Sequence, residues 1–470
     1  MKSFLISILM FIPMISMADD SGTCGTNLTY NYIEATHTLT ISGNGTMSSY
    51  SNMPWLPYRA DIVKVIIEDG VTSVGGFSEC TSLMNISMPS SVTAIEANAF
   101  YNCASLLSIS IPSSVTSIGG SAFGGCSALT SVHISDIAAW CNIKFFYGWA
   151  MGCLYSNPLY YARHLFLDGI EIKDLVIPNN VTSIPDFAFL YCTGLTSVTI
   201  PNNVTSIGNA SFYGCSGITS VSIGNGVTSF GEKVFEGCTN LYSASIENGV
   251  TCIGKETFSG CTRLDFISIP NSVTSIGESA FQGCSGLKTI SLPEDISIVK
   301  NATFEGCTSL KSIIIPSNVE YIYQKAFANC GLIEIKVLAS TPPFAYDNTF
   351  SNYNIPLYCS EASIPAYQRT NPWNKFSSFK TLSGDEMEMK QCYKPQIAFA
   401  DGKLKFTCKT EGAECIATIS DTDIKTHYGN EIHLTATYCI SVYASVAGYK
   451  NSEVVTATLC WLDAEPRTEG

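Results

Sequence analysis

The sequence predicts a mainly β fold, in which a solenoid of 23-residue repeats with a parallel sheet is followed by a small β-sandwich. Three observations support this prediction. Ten of the 20 cysteines recur at steps of 23 residues, in one run from Cys80 to Cys126 and another from Cys192 to Cys330. A phenylalanine precedes each of these ten lattice cysteines by three positions. Apolar and polar residues alternate between them, as in strands with one buried face.

Each repeat contains one predicted front strand. In one copy, Leu195, Val198 and Ile200 follow the spacing L-x-x-V-x-I that is typical of leucine-rich-repeat strands. Period-two alternation directs these side chains to the core and Thr199 outward. Pro201 ends the strand because proline has no N–H to donate to a sheet. The letters "VTSIG" then predict a second short strand, and "NASFYGC" predicts one helical turn with its phenylalanine and cysteine inward.

A single repeat of this kind cannot fold alone. Ordering 23 residues costs roughly 1 to 2 kcal/mol per residue, whereas about seven inward apolar side chains return only about 1.5 to 3 kcal/mol each. Contacts between repeats must supply the remainder. We therefore expect one continuous parallel sheet with strands about 4.8 Å apart, in which about eleven rungs form a curved rod.

The lattice cysteines suit this interior because cysteine is small and frequently buried. Neighbouring rungs would bring their Cα atoms within bridging distance, and secretion would favour oxidation. However, the two runs contain three and seven cysteines, both odd numbers, and stacked side chains point in parallel rather than toward each other. The expectation is therefore mostly free, buried thiols.

The repeat "IPxSVTSIGxxAFxGCxxLxSI", as written from Ile269 to Ile290, resembles the leucine-rich repeats of BspA-like bacterial surface proteins. The resemblance extends roughly over residues 63–337. It implies a secreted or surface-displayed binding protein, and several such proteins attach to host matrix proteins or to other cells. The family shares no residue-level binding motif, so the resemblance assigns no site residue.

Charge and the N-terminal segment restrict the partners and the location. The chain has 25 Lys and Arg against 39 Asp and Glu, a net charge of -14, which opposes attraction to nucleic acid or anionic lipid. Lys2, an apolar run from Phe4 to Met14 and a small-residue site ending at Ala18 form the pattern of a secretory signal. We expect cleavage after Ala18, no membrane span afterwards, and a secreted or cell-surface location.

The repeat pattern also divides the chain into regions. Between Cys126 and Cys192 the step is 66 residues rather than the 69 of three repeats, which indicates an insertion at 135–164 within a solenoid spanning 62–337. The other predicted regions are a signal peptide (1–18), an N-terminal β cap (19–61), a C-terminal cap of the solenoid (338–382), a linker (383–393) and an immunoglobulin-like β-sandwich (394–470).

The C-terminal part carries two further resemblances. Trp373 and Phe376 lie in a segment similar to the closing cap of the same family, where they would cover the last rung. Residues 394–470 resemble the immunoglobulin-like modules at the C-terminal end of chitobiase-type enzymes, which are usually spacers. Cys408 and Cys415 would face each other across the "EG" turn of this module.

The insertion is rich in aromatic residues, among them Phe146 and Trp149. Such a segment on a rigid scaffold is either a docking surface or a patch of rings that packs on the flank of the solenoid and repairs the interruption. A disulfide between Cys141 and Cys153 is a further possibility.

Candidate chemistry is sparse. None of the five histidines stands in a pattern that reads as a metal site or as the base of a nucleophile. The sequence "GNG" after His37 lacks the third glycine of a dinucleotide fingerprint. We therefore expect no catalytic residue, no metal and no cofactor.

The outward positions of the front strands are short and nearly uncharged, which suits contact with an extended protein or glycan. Alternatively, these hydroxyls only solvate a parallel sheet. The candidate ligand-binding residues are Ser110, His133, Thr199, Ser222, Ser245, Ser268 and Ser291, together with Phe146 and Trp149 of the insertion.

Three functions stay open on the sequence. The favoured one is adhesion or ligand binding through the solenoid surface, with a protein or glycan on host or neighbouring cells as the partner. A structural surface-coat protein and, less favoured, a carbohydrate-active protein are the alternatives. Paired carboxylates facing a cleft would support an enzyme, and the sequence shows no such pair.

Overall fold

The computed structural model describes residues 19–47, 53–146 and 155–383, together with 392–400, 403–410, 413–421, 426–428, 431–433, 435–445, 452 and 455–462 in the C-terminal region. The predicted signal peptide, Trp149 and Cys153 lie outside these described residues. The fold is mainly β, and the predicted solenoid of 23-residue repeats is confirmed.

Nearly every rung contributes one strand to the front of the stack, and neighbouring front strands within a sheet pair in parallel with partners one repeat apart, as Val198 does with Val221. The inward side chains Leu195, Val198 and Ile200 of one rung are at most 1% exposed, as the alternation predicts. The front strands are Lys64–Ile67, Asn85–Ser87, Ser108–Ser110, Ser131–Ile134, Leu165–Leu167, Asp174–Val176, Ser197–Ile200, Ser220–Ile223, Ser243–Ile246, Phe266–Ser268, Ser312–Ile315, Glu334–Val337, Pro356–Cys359 and Ser378–Thr381.

A second column of short parallel strands forms the back of the stack, at the position of "VTSIG". Each back strand points one residue outward and the next one inward, as in Ser206 and Ile207. The back strands are Gly45–Thr46, Val71–Val74, Ala94–Ile95, Ser117–Ile118, Lys144–Phe145, Ser183–Ile184, Ser206–Ile207, Ser229–Phe230, Cys252–Ile253, Ser275–Ile276, Ile298–Val299, Tyr321–Ile322 and Phe344–Ala345.

The expectation of one continuous front sheet is wrong, because the front strands form four separate sheets. At one break, the edge of Leu165–Leu167 pairs with Ile170–Glu171 in an antiparallel hairpin, so the next front strand finds no free edge. At another, the rung around Ser291 has no front strand, although Leu292 stays buried. The core of buried inward side chains is therefore continuous even where neighbouring rungs lack hydrogen bonds between their front strands.

The segment between the back strand and the cysteine is not the predicted helical turn. Two residues of each regular rung adopt left-handed backbone angles here, for example Ala210 (φ 51) and Gly214 (φ 68). A right-handed helix excludes such residues, so the chain forms consecutive tight turns instead. Glycine commonly precedes the lattice cysteine because it adopts positive φ without steric cost.

The lattice phenylalanines form a column of stacked rings through the interior. Successive ring centroids lie 5.2 to 5.9 Å apart, from Phe77 to Phe123 and again from Phe189 to Phe350. The ring planes differ by no more than 24°. Each ring is thus packed on both sides by the same residue of the neighbouring rungs.

The lattice cysteines are free and form a second column beside the rings, as predicted. Eight of them donate the thiol to the carbonyl of the phenylalanine 26 positions earlier, for example Cys215 Sγ to Phe189 O at 3.0 Å. That carbonyl also accepts from its own rung, as Phe189 O does from Cys192 N. Each thiol thereby links two rungs.

The insertion is built into the stack. It contains the helices Ile137–Trp140 and Leu159–Ala162, and Asp136 caps the first by accepting from Ala138 N at 2.7 Å. The indole of Trp140 is buried and donates to Ala188 O at 2.9 Å, which ties the insertion to the following rung.

Aromatic side chains close both ends of the ring column. Trp55 stacks on Phe77 at 5.6 Å, behind the strands Asp20–Gly25, Leu28–Ile33 and Thr38–Gly43 and the 3-10 turns Glu34–Thr36 and Leu56–Tyr58. At the other end Trp373 and Phe376 pack on Phe350 and are buried, as predicted. This end also contains the helix Ile364–Tyr367 and the 3-10 turns Glu361–Ser363 and Trp373–Lys375.

The described C-terminal residues form antiparallel strands. Glu414–Asp421, Thr435–Ser445 and Val455–Leu462 make one sheet, and Gln396–Ala400 pairs with Lys403–Thr407. A further hairpin joins Thr426–Tyr428 and Glu431–His433. Cys408 and Cys415 are free rather than joined.

The ring column predicts where the solenoid is sensitive to substitution. Phe235 is fully buried between two rings, so Phe235→Ala should lower the free energy of unfolding by about 3 to 5 kcal/mol. Ser110→Ala should change it by no more than about 0.5 kcal/mol, because Ser110 is exposed on the outer side of its front strand. Urea denaturation measures both, and equal losses would contradict the assignment of inward and outward positions.

The cysteine column predicts a specific pattern of thiol reactivity. All ten lattice thiols should react with iodoacetamide in denatured protein, and the nine other than the partly buried Cys330 should stay unmodified in native protein because they are shielded from solvent. Mass spectrometry of the peptides counts the modified positions. A denatured, unreduced sample in which most lattice cysteines resist alkylation would show that they are disulfide-bonded.

Burial raises the pKa of Cys80, Cys126, Cys192 and Cys284 from 9.0 to about 12. The folded state keeps thiol protons that the unfolded chain loses above pH 9, so this contribution to stability falls as the pH rises from 9 to 12. We expect the urea midpoint to drop over this interval, and to drop less in Cys284→Ala. An identical drop in the parent protein and in Cys284→Ala would show that the Cys284 thiol does not contribute to this loss of stability.

Candidate functional site

The N-terminal half of the front face presents the predicted hydroxyl surface to solvent. Ser87 and Ser110 are exposed on adjacent rungs. His133 is half-buried, with its ring stacked 4.8 Å from that of Phe166 and Nε2 3.1 Å from Ser131 Oγ. Hydroxyls and one imidazole edge thus face outward here.

The central part of the front face is covered. Ser245 is 1% exposed and Ser268 is 4% exposed, so the expectation that these two hydroxyls reach solvent is wrong. The strand Glu414–Asp421 of the C-terminal region lies against the front strands Ser197–Ile200, Ser220–Ile223 and Ser243–Ile246. No sequence pattern indicated this contact, because it joins segments about two hundred positions apart with no shared pattern.

The remaining candidates of the front face lie beside this covered area. Thr199, Ser222 and Ser291 are half-buried. The hydroxyl oxygens of Thr199 and Ser245 are buried and have no hydrogen-bond partner among the described residues. The front face therefore divides into a covered centre around Ser245 and an open N-terminal part around Ser110.

The structure separates the aromatic residues of the insertion into two groups. Trp140 and Phe145 are buried and pack on each other at 5.6 Å, which fits the interpretation as a repair of the interruption. Phe146 is 52% exposed and stays a candidate for contact with a ligand. Trp149 lies outside the described residues, and so does Cys153, while Cys141 is free.

A tyrosine cluster follows the insertion on the flank of the stack. Tyr160 packs edge-on against Tyr191 at 5.4 Å, and Tyr191 against Tyr213 at 5.2 Å. The guanidinium carbon of Arg163 lies 4.2 Å from the centroid of the Tyr191 ring. Burial, followed by the nearby Tyr213, raises the pKa of Tyr191, so the Tyr191 phenol stays protonated at neutral pH.

Metal-binding geometry is absent from the described part of the chain, where no group of three His, Cys, Asp or Glu side chains is placed to hold an ion. His164 Nδ1 lies 2.6 Å from Glu171 Oε1, and Lys173 binds the other oxygen of that carboxylate at 2.7 Å. The hydrogen bond from Lys173 is the main lowering influence on the pKa of Glu171.

Within the described residues, no helix has the length and apolarity needed to cross a membrane.

A second exposed surface was missed by the sequence reasoning. At the last back strands the outward serine is replaced by Tyr321 and then Phe344, which are 45% and 55% exposed. The signal was present in the repeat itself, because every residue can be compared with its equivalents 23 positions away. Attention to the front strands alone overlooked it.

A family model for the BspA type leucine-rich repeat region matches six copies, over residues 58–150, 162–257 and 240–356. No curated protein matches the chain.

Among solved structures, a leucine-rich repeat protein from Eubacterium ventriosum ATCC 27560 shares 20% identity, with 67% of this chain and 95% of that chain covered and a TM-score of 0.44. A leucine rich cell surface protein from Faecalibacterium prausnitzii A2-165 shares 24% identity, with coverages of 78% and 97% and a TM-score of 0.39. The pneumococcal vaccine antigen PcpA shares 16% identity, with coverages of 77% and 99% and a TM-score of 0.44. The family model matches more than half of the length of this chain, and the chain therefore belongs to the BspA-type leucine-rich repeat family.

Proposed function

We propose that this chain is a secreted or cell-surface protein that mediates adhesion by binding a protein or glycan through the front face of its solenoid. The observation that carries the proposal is the open, nearly uncharged part of that face, where Ser87, Ser110 and His133 repeat in register. Side chains spaced by the rungs suit an extended ligand, because each rung offers the same polar contact again.

Family membership and the signal-like N-terminal sequence support this proposal. The net charge of -14 disfavours nucleic acid as the partner. The front columns carry hydroxyls rather than convergent acids and bases, which favours binding over catalysis. Phe146 follows the back strand Lys144–Phe145 and is exposed, so it is a separate candidate for an apolar contact on the back of the stack.

The proposal predicts that a bulky charge on the front face abolishes binding. The full chain should bind at least one member of a panel of immobilised matrix proteins, mucins and glycans, measured by biolayer interferometry. Ser110→Arg should weaken that binding by about tenfold or more, since it places an unpaired charge in the contact. Ser206→Arg is the matched control, because Ser206 is equally an exposed strand serine but lies on the back.

Two results would contradict the proposal. One is equal weakening by the front and back substitutions, which would remove the front face as the contact. The other is a chain that binds nothing on the panel and self-associates into arrays in light scattering, which would favour a surface-coat protein.

A further inference from the structure

In the last rungs, two positions of the back face carry residues that differ from those of the earlier rungs. Where earlier rungs place Ser206, Ser229 and Ser275, the final ones place Ile298, Tyr321 and Phe344. Two positions further along the chain, the glycines of earlier rungs, Gly208, Gly231, Gly254 and Gly277, give way to Lys300, Tyr323 and Tyr346. The earlier rungs fold with serine and glycine, so the solenoid itself does not require these larger side chains.

The new side chains form an exposed aromatic surface. Tyr321 and Phe344 have ring centroids 6.2 Å apart, and Phe344 meets Tyr346 edge-on at 5.2 Å. Tyr323 lies 5.9 Å from Tyr346. About half of the Phe344 and Tyr321 surfaces is open to solvent, and four neighbouring rings exceed the isolated apolar residues that any surface carries.

A cleft of about 480 Å³ is lined by the residues that directly precede Tyr321 and Phe344 in the chain, including Glu320 and Pro343. Its lining includes the hydroxyls of Ser297, Ser317, Ser340 and Thr341 and a single ionisable side chain, Glu320. Glu320 takes the position that threonine occupies in earlier rungs, is exposed, and forms no ion pair with any described residue. Lys300, which takes one of these changed positions, donates to Ser275 Oγ at 3.1 Å and so reaches toward the preceding rung.

We propose that this cleft and the rings beside it bind a basic side chain, lysine or arginine, of a partner protein. The methylene stem would lie on Tyr321 and Phe344, and the cationic group would face the carboxylate of Glu320 within the ring of hydroxyls. Aromatic faces attract cations through their quadrupole. The net charge of -14 raises the local concentration of a basic partner.

This surface is distinct from the front face, and the proposal for it does not depend on the proposed binding function of the front face. Its residues belong to the back strands Tyr321–Ile322 and Phe344–Ala345 and to the loops that precede them. A neutral glycan could also stack on exposed rings, but it would leave the single carboxylate of the cleft without a counter-charge. The charge therefore selects a basic peptide over a sugar.

In the test, the full chain is titrated by isothermal calorimetry with tetralysine whose N-terminus is acetylated and whose four side chains stay cationic. Three variants restore the residue of the repeat itself: Glu320→Thr, Tyr321→Ser and Phe344→Ser. Since earlier rungs carry these residues, each variant should keep its melting temperature. We expect each one to weaken tetralysine binding by about fivefold or more, which corresponds to roughly 1 kcal/mol.

Glu232→Gln is the matched control, because Glu232 is an exposed carboxylate on an earlier rung, and it should weaken binding by less than about twofold. Equal weakening by Glu232→Gln would show that only the overall negative charge attracts the peptide. Absence of tetralysine binding would overturn the proposal. So would binding of cellohexaose that is lost in Tyr321→Ser and Phe344→Ser, since that result would mark a glycan site.

Discussion

The structure depends on the stacking of one phenylalanine per rung on the same residue of the next rung. A rung of 23 residues cannot bury enough of its own surface to offset the entropy of ordering it. The ring column supplies the missing contact on both sides, and stacked rings contribute beyond the area they bury. The thiol column follows from this arrangement, because the carbonyl of each stacked phenylalanine is the acceptor for a cysteine one rung further on. Cys80 and Cys192, the first of each run, have no regular rung before them, and within the described residues neither thiol forms this bond.

The sequence correctly predicted most of the features that repeat. The step of 23 residues predicted the parallel stack, alternation predicted that Leu195 and Val198 point inward, and odd run lengths predicted free cysteines. The closing role of Trp373 and Phe376 came from a resemblance and is confirmed. All of these depend on local pattern or on contacts between neighbouring copies, which a periodic sequence states many times over.

Two kinds of feature were not predictable in the same way: the backbone angles of the recurring turns and the contacts that occur once. The left-handed residues of the turns are hidden because Ala210 and Lys233, unlike glycine, give no sign of positive φ. Trp55 continues the ring column from a position one residue away from the lattice, so subtraction of 23 misses it. The cover over Ser245 comes from a distant strand. Long-range packing between unlike segments leaves no periodic trace.

The same reasoning separates structural from functional positions. Within a repeat, residues that recur are explained by the stack, and residues that depart from it need another explanation. Ser110 recurs, so its role rests on the openness of the front face, whereas Tyr321, Phe344 and Glu320 depart from the pattern where the fold does not require it. The solenoid thus carries two surfaces of different chemistry, a hydroxyl face and an aromatic face with one carboxylate.

A double-mutant cycle on the ring column tests the central claim most directly. Phe212 and Phe235 are neighbours at 5.3 Å, whereas Phe212 and Phe258 are separated by one ring. Alanine substitutions at the neighbouring pair should couple by about 0.5 to 1.5 kcal/mol in the free energy of unfolding. The separated pair should be additive to within about 0.5 kcal/mol. Additivity at both pairs would contradict the claim, because it would mean that each ring stabilises its own rung and that the stacking between rungs does not hold the solenoid together.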